Sequence, residues 1–306
     1  MPMGIMFHHF VDSRHPYIQG SLSSADFEQV INNIGRERIL DPNTWIDRTL
    51  AGTLKKNDVC LTFDDALLSQ AEVALPVLDK YNIKAFFFVY SAIFEGHVDH
   101  FEMIRYFRNI SFETPHDFYE AFYDAMKPAP VWGEVAPALT LDAASNYLAA
   151  YGFYTREDRI FRYVRDMVLD RDTFYSVCEA MMKARGFDMQ SMARKVWLND
   201  AWLKRLEAEG HVIGLHSTSH PTNLGKWTRE QQVQEYSNNQ RHLINVLGKT
   251  PVSVSYPCGC YDEVTLDIMR EMGVKVGFRS DEGDGSGSPL EQSRLDYTLY
   301  MKRLAV

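Results

Sequence analysis

The chain has 306 residues, 45% of them hydrophobic and 24% charged, and a formal net charge of −9. That length can bury a sizeable core, either as one large domain or as one domain carrying an insertion. The acidic balance argues against nucleic acid as a partner, and no run of about 18 apolar residues is present to span a membrane.

The opening residues, Met1 to His9, lack a basic region followed by a long apolar stretch, so they do not read as a signal peptide. The four cysteines (Cys60, Cys178, Cys258 and Cys260) are too few and too scattered for a disulfide framework. A cytoplasmic location is the simplest expectation.

In chain order, Met3 to Phe10 is an apolar run with His8 and His9 inside it, predicted as a strand. Phe27, Val30, Ile31 and Ile34 have helical spacing after Ser24. Asp41-Pro42-Asn43 reads as a turn. Val59 to Phe63 then forms a buried strand that ends on two adjacent carboxylates, Asp64 and Asp65. Ser69 to Glu72 has the spacing of a capping box, and Ala71, Ala74, Leu75 and Leu78 stripe the helix it would open. Lys84 to Tyr90 is the next buried strand. Strand, helix and strand in this order imply a parallel βαβ unit.

From about residue 94 to 195 the pattern changes. Aromatic and other apolar residues recur at helical spacing, as at Phe118 and Phe122 or Phe161 and Val164, and no strand pattern appears. This segment is predicted as a mostly helical insertion. The βα rhythm then resumes with a helix near Asn199–Glu209, a strand from His211 to Leu215 and a helix opened by a second capping box, Thr228 to Gln231. A strand follows at Val252–Tyr256, a helix at about Asp262–Met272 and a strand at Val274–Phe278. Asp281 to Ser288 is a Gly/Ser/acidic loop, and Tyr300–Leu304 is predicted as a last strand.

Two carboxylates at the end of a buried strand are costly unless they are paired or hold a cation. His216 and His220, four residues apart at another strand end, supply imidazoles that one turn can aim at one point. With Asp65 they make a two-histidine, one-carboxylate set with room left for water and substrate. Asp64 would then be free to take a proton from water. The plainer alternatives are loop histidines, and a carboxylate that only caps the following helix.

These residues also carry a resemblance. Leu61-Thr62-Phe63-Asp64-Asp65-Ala66 resembles the T-F-D-D-G motif of the polysaccharide deacetylases, the NodB-like family 4 carbohydrate esterases. His216-Ser217-Thr218-Ser219-His220 is similar to their H-[ST]-x-x-H motif, and Ser255 to Asp262 to their third motif. The resemblance implies an α/β fold, a distorted (β/α) barrel; the expected organisation is a single domain over 1–306, with the helical insertion at 94–195 inside it but outside the resemblance. The resemblance implies one divalent metal ion held by Asp65, His216 and His220, zinc first, with cobalt, nickel or iron also suited to the donors. It implies Asp64 as the base and a backbone N–H after Pro257, that of Cys258, for the oxyanion.

Three departures from the motifs matter. Ala66 replaces a Gly, which is minor if its φ is negative. Ser255 stands where relatives often carry an Arg that holds the catalytic Asp, so Arg303 is expected to orient Asp64 instead. No late L-x-x-H motif supplies the general acid. Ile5-Met6-Phe7-His8-His9 is similar to that segment in circularly permuted relatives, and strand alternation lets only one of the two histidines face inward. His8 is the expected acid. The resulting expectation is an N-deacetylase acting on an N-acetylated sugar, a precursor or terminal residue in surface-glycan biosynthesis. The rival readings are a metal-dependent hydrolase of a cyclic imide or ureide, and an inactive glycan-binding protein.

Overall fold

Seven short strands, most of them apolar, pair side by side in the computed structural model, which describes residues 1–149, 154–283 and 287–304. They are β1 (Met3–Phe7), β2 (Val59–Phe63), β3 (Phe86–Val89), β4 (Val212–Leu215), β5 (Ser253–Ser255), β6 (Val276–Phe278) and β7 (Arg294–Asp296). All pairings are parallel, in the order β6-β5-β4-β3-β2-β1-β7. Gln292, just before β7, bridges Phe278 at the end of β6, and its N–H donates to the Gly277 carbonyl at 2.7 Å. The sheet therefore nearly closes on itself as the expected (β/α) barrel.

Every residue of β2, β3 and β4 is buried, as strands covered on both faces require. Alternation sorts their side chains into two clusters. Phe87, Val89, Leu61 and Phe63 pack outward against the helices. Cys60, Phe86, Phe88, Val212, Val276 and Phe278 pack with Trp45 in a smaller cluster that fills the barrel. Towards the C-terminal ends of the strands the filling turns polar, with Thr62, Ser255 and Arg294 all buried. Gly4 makes room for this, because a Cβ there would stand 2.9 Å from the Arg294 side chain.

Local signals differ from the observed elements in three places. Asp41-Pro42-Asn43 starts a helix, Pro42–Ala51, with the Asp41 carboxylate accepting from the Asn43 and Thr44 N–H groups. It is a cap with Pro at the first helical position. The Ser69–Glu72 capping box does not form. Ser69 Oγ instead accepts from the Phe10 N–H, Glu72 pairs with His15 at 3.0 Å, and the segment opens as a π-helical turn, Gln70–Ala74, before Leu75–Lys80. The Thr228–Gln231 box does form and opens the helix Arg229–Leu247. At the far end, Tyr300–Leu304 lies within a helix, Tyr297–Leu304, and the last strand is β7, which precedes it. Residues 284–286 of the acidic loop lie outside the described residues.

The chain divides into two compact units, Met1–Val98 with Ala193–Val306, and Asp99–Met192. The second lies within the segment 94–195. Its described residues form helices, among them His100–Ser111, Pro115–Met126, Arg156–Tyr163 and Arg171–Ala184, around buried phenylalanines such as Phe107, Phe118, Phe122 and Phe161.

His211, at the N-terminal end of β4, accepts a hydrogen bond from the Ala85 N–H through Nδ1 at 3.1 Å. Burial, reinforced by the Lys84 charge, lowers its pKa from 6.5 to about 4. The unfolded chain takes up this proton below its ordinary value while the folded chain does not. Stability therefore falls as pH drops from 6.5 towards 4, by roughly 2–3 kcal/mol. Urea unfolding across that window should show this slope, and His211→Gln should flatten it. Coincident pH profiles for the two proteins would refute the assignment.

Candidate active site

β2 delivers Asp64 and Asp65 to the same end of the barrel. Adjacent strand residues ordinarily point to opposite faces. Here the strand ends at Phe63, and Asp65 (φ 75°) and Ala66 (φ 53°) turn left-handed, which brings the second carboxylate back to the site. Ala66 was expected to be harmless at negative φ. Its φ is positive, so an alanine holds a conformation that costs an L-residue about 1–2 kcal/mol. Leu198 N–H to the Ala66 carbonyl, at 2.8 Å, and Gln70 Nε2 to the Asp64 carbonyl, at 2.6 Å, hold this turn.

β4 delivers the two histidines. His216 Nδ1 faces the Ser255 carbonyl at 2.7 Å and donates its proton there, which leaves the Nε2 lone pair facing the site. Asn239 fixes the start of the loop, accepting from the His216 N–H at 3.1 Å and donating to the Val89 carbonyl at 2.9 Å. Ser217 (φ 68°) and His220 (φ 54°) bend the chain so that His220 returns. Glu235, on Arg229–Leu247, braces that bend by accepting from the N–H groups of Thr218 and Ser219 at 3.0 and 2.5 Å.

The three expected ligands converge. Asp65 Oδ1 lies 3.5 Å from His216 Nε2 and 3.4 Å from His220 Nε2. A tetrahedral ion with bonds of about 2.0–2.1 Å needs donors about 3.3–3.4 Å apart. Asp65 Oδ1 is also buried without a hydrogen-bond partner, a position that a cation would satisfy. Burial alone would raise the Asp65 carboxyl, but the His220, His8 and His216 rings hold it well below the usual carboxylate range. Donor type, spacing and charge all fit a first-row divalent metal.

Asp64 is held by Arg294, not by Arg303. Arg294 Nη1 donates to Asp64 Oδ1 at 2.8 Å and Nη2 donates to Ser255 Oγ at 2.6 Å, while Ser255 Oγ donates to Asp64 Oδ2 at 3.1 Å. Arg294 Nε donates to the Arg279 carbonyl at 2.6 Å. Arg303, placed on the C-terminal helix, pairs with Glu282 at the surface. The arginine that relatives often carry at the third motif is thus supplied by β7, and the small Ser255 leaves space for it. Burial would raise the Asp64 carboxyl, yet the Arg294 guanidinium and the His216 ring keep it below its ordinary 3.8.

Cys258 lies at the rim in the turn Pro257–Gly259, with φ 53°. The residue is exposed, but partial desolvation of its thiol and the nearby Asp65 carboxylate push the thiol up to about 11, so at neutral pH it stays protonated. The Gly259 and Cys260 N–H groups are spent on the Tyr256 and Pro257 carbonyls, both at 2.9 Å. His8, half-buried just past β1, is near enough to contribute charge to both Asp64 and Asp65. Its carbonyl accepts from Gln70 Nε2 at 3.0 Å, so one side chain ties the ends of β1 and β2. Arg294, Glu235, Asn239 and Gln70 were not singled out from sequence. The buried polar stripe Gln232, Glu235 and Asn239, on one face of a helix, was the signal available for two of them.

Removing one partner of a buried ion pair strands the other charge, at about 3–5 kcal/mol. Arg294→Met should therefore lower stability to denaturant by that order, while the double substitution with Asp64→Asn should recover part of it. Arg303→Ala, at the surface, should change stability by less than about 0.5 kcal/mol. A larger loss for Arg303→Ala than for Arg294→Met would reverse the assignment.

Comparison with known proteins gives the family and the fold. The polysaccharide deacetylase family profile matches residues 51–114 and 175–277, running into both ends of the insertion and leaving out its middle. YxkH of Bacillus subtilis (strain 168), which bears a polysaccharide deacetylase name, is 28% identical over 106 residues, 34% of this chain and 38% of that protein. This match therefore spans well under half of the curated relative. Among solved structures, the deacetylase PplD of Streptococcus pyogenes, in complex with acetate, superposes with a TM-score of 0.57 at 16% identity, covering 99% of this chain and 97% of that one. A de-N-acetylase from Aggregatibacter actinomycetemcomitans gives 0.56 at 15% identity, covering 99% of both chains. The structural likenesses carry the barrel fold. The family profile, matched over more than half of the residues, shows that the chain belongs to the polysaccharide deacetylase family.

Proposed function

We propose that the protein is a metal-dependent N-deacetylase that hydrolyses the acetamide of an N-acetylated sugar, in a glycan precursor or terminal residue. The observation that carries this reading is the convergence of Asp65, His216 and His220 beside a second carboxylate, Asp64, clamped in its ionised form. A divalent ion held by those three residues, zinc by its donor set, would supply Lewis acidity and make water a better nucleophile at neutral pH.

The remaining roles follow from the chain's own groups. Asp64 Oδ2 lies 4.0 Å from His216 Nε2, beside the ligand set but outside it. With Oδ1 engaged by Arg294 and its charge maintained, Asp64 is suited to accept the proton of the attacking water. The water oxygen bonds to the acetamide carbon, and the carbonyl oxygen becomes an oxyanion. The Cys258 N–H, for which no bond within its turn is seen, is the group assigned to donate to that oxygen. His8 then delivers a proton to the nitrogen as the C–N bond breaks, releasing acetate and a free amine.

Acetate release from N-acetylated oligosaccharides tests the proposal. Chelation should abolish it and zinc should restore it. Asp64→Asn should lower kcat by about 10²–10⁴-fold while metal content stays the same. His8→Gln should lower kcat more than it raises KM. Full acetate release by chelated protein, or by Asp64→Asn, would defeat the mechanism.

A further inference from the structure

The helical insertion has a pocket of its own, a cavity of about 40 Å³ lined by Arg105, Arg108, Arg162 and Arg165. The first two lie on the helix His100–Ser111. The others lie on Arg156–Tyr163 and the π-helical turn Val164–Val168 that continues it. Four guanidiniums around one small cavity are a marked local excess in a chain of net charge −9. Phe118 and Phe161, packed edge to face at 5.6 Å, form an apolar wall of the same cavity.

The neighbouring acids are already committed. Glu102 accepts from Arg105 at 2.6 Å, Asp166 takes Arg165 through two contacts of 2.5 and 2.8 Å, and Asp158 accepts from the Tyr119 hydroxyl. Among the described residues, Arg108 and Arg162 pair with no carboxylate. Arg108 donates to the Tyr119 hydroxyl at 3.2 Å, and the Arg162 guanidinium lies over the Tyr154 ring at 4.0 Å. The Nε atoms of both are buried without a hydrogen-bond partner. A buried donor left unmatched costs about 1–3 kcal/mol, more when charged. Burial, with the like charges of Arg165 and Arg108, also lowers the Arg162 pKa. Two of the four guanidiniums, those of Arg108 and Arg162, are thus left among the described residues without a carboxylate in direct contact.

We propose that this pocket is a binding site for a phosphate-type oxyanion. The planar guanidinium fork matches phosphate oxygens two at a time, and the apolar wall strengthens each such bond by excluding water. A cavity needs about 10–15 Å³ on this measure to hold one water, so the space suits one tetrahedral anion and not a saccharide ring. The anion comes either as a free phosphate or as a phospholipid headgroup.

Two arms on the full-length metal-loaded protein separate these sources: calorimetric titration with inorganic phosphate, and co-sedimentation with phosphatidylcholine vesicles containing phosphatidic acid. Saturable binding is expected in at least one arm. It should weaken roughly tenfold in Arg108→Gln and in Arg162→Gln and persist in Asp65→Asn, which alters only the barrel site. Arg162→Lys keeps charge and stem, guards against misfolding and should still bind more weakly than the parent because the fork is lost. Circular dichroism establishes that each variant is folded. The proposal is overturned by no binding in either arm, by binding indifferent to both arginine substitutions, or by binding that Asp65→Asn abolishes.

Discussion

The buried pair of Asp64 and Arg294 is the constraint around which the upper half of the barrel is arranged. Both side chains are almost fully withdrawn from water. Ions in that position are tolerated only when their remaining hydrogen-bonding capacity is met. The guanidinium accordingly also reaches Thr62 Oγ1, Ser255 Oγ and the Arg279 carbonyl. Those contacts join β2, β5, the end of β6 and β7 in one polar knot. Gly4 on β1 completes the arrangement by leaving out a side chain. The base of the proposed reaction and the filling of the barrel are therefore the same set of atoms, and neither can be altered without the other.

The ligand loop follows a comparable logic. His216 and His220 face one carboxylate only because Ser217 and His220 adopt left-handed backbone, which non-glycine residues leave unless held. Glu235 holds it, capping the exposed N–H groups of the bend from a helix that is itself secured by the Thr228–Gln231 box. Order passes from a local helix cap, through a buried carboxylate, to the position of a histidine ring.

Much of the site was legible because its residues sit in short local motifs at strand ends. Asp64, Asp65, His216 and His220 each follow a buried apolar run, and the βα rhythm sets those ends on one rim. Arg294 was not legible in the same way. It lies 230 positions from the carboxylate it serves, on a strand of three residues that is too short to show alternation. Arg303 offered the same side chain within an apolar segment. That segment is a helix, opened where the Asp296 carboxylate accepts from the Thr298 N–H at 2.9 Å. The Ser69–Glu72 box misled for a related reason. Its spacing is right, but Glu72 has His15 as a competing partner from a distant part of the chain. Local pattern succeeded where the partner was local and failed where tertiary contacts chose another.

The placement of β1 and β7 side by side has a further consequence, for biosynthesis. β2 has β1 as a neighbour almost from the start, but β7 arrives nearly three hundred residues into the chain. Domains are made from the N-terminus onward and tend to fold as units. Until β7 emerges from the ribosome, Asp64 would have no guanidinium beside it, and burying it would be prohibitive. The barrel can therefore close only late in translation. Until then β1 presents an edge left unpaired, and such an edge exposes the nascent protein to misassociation.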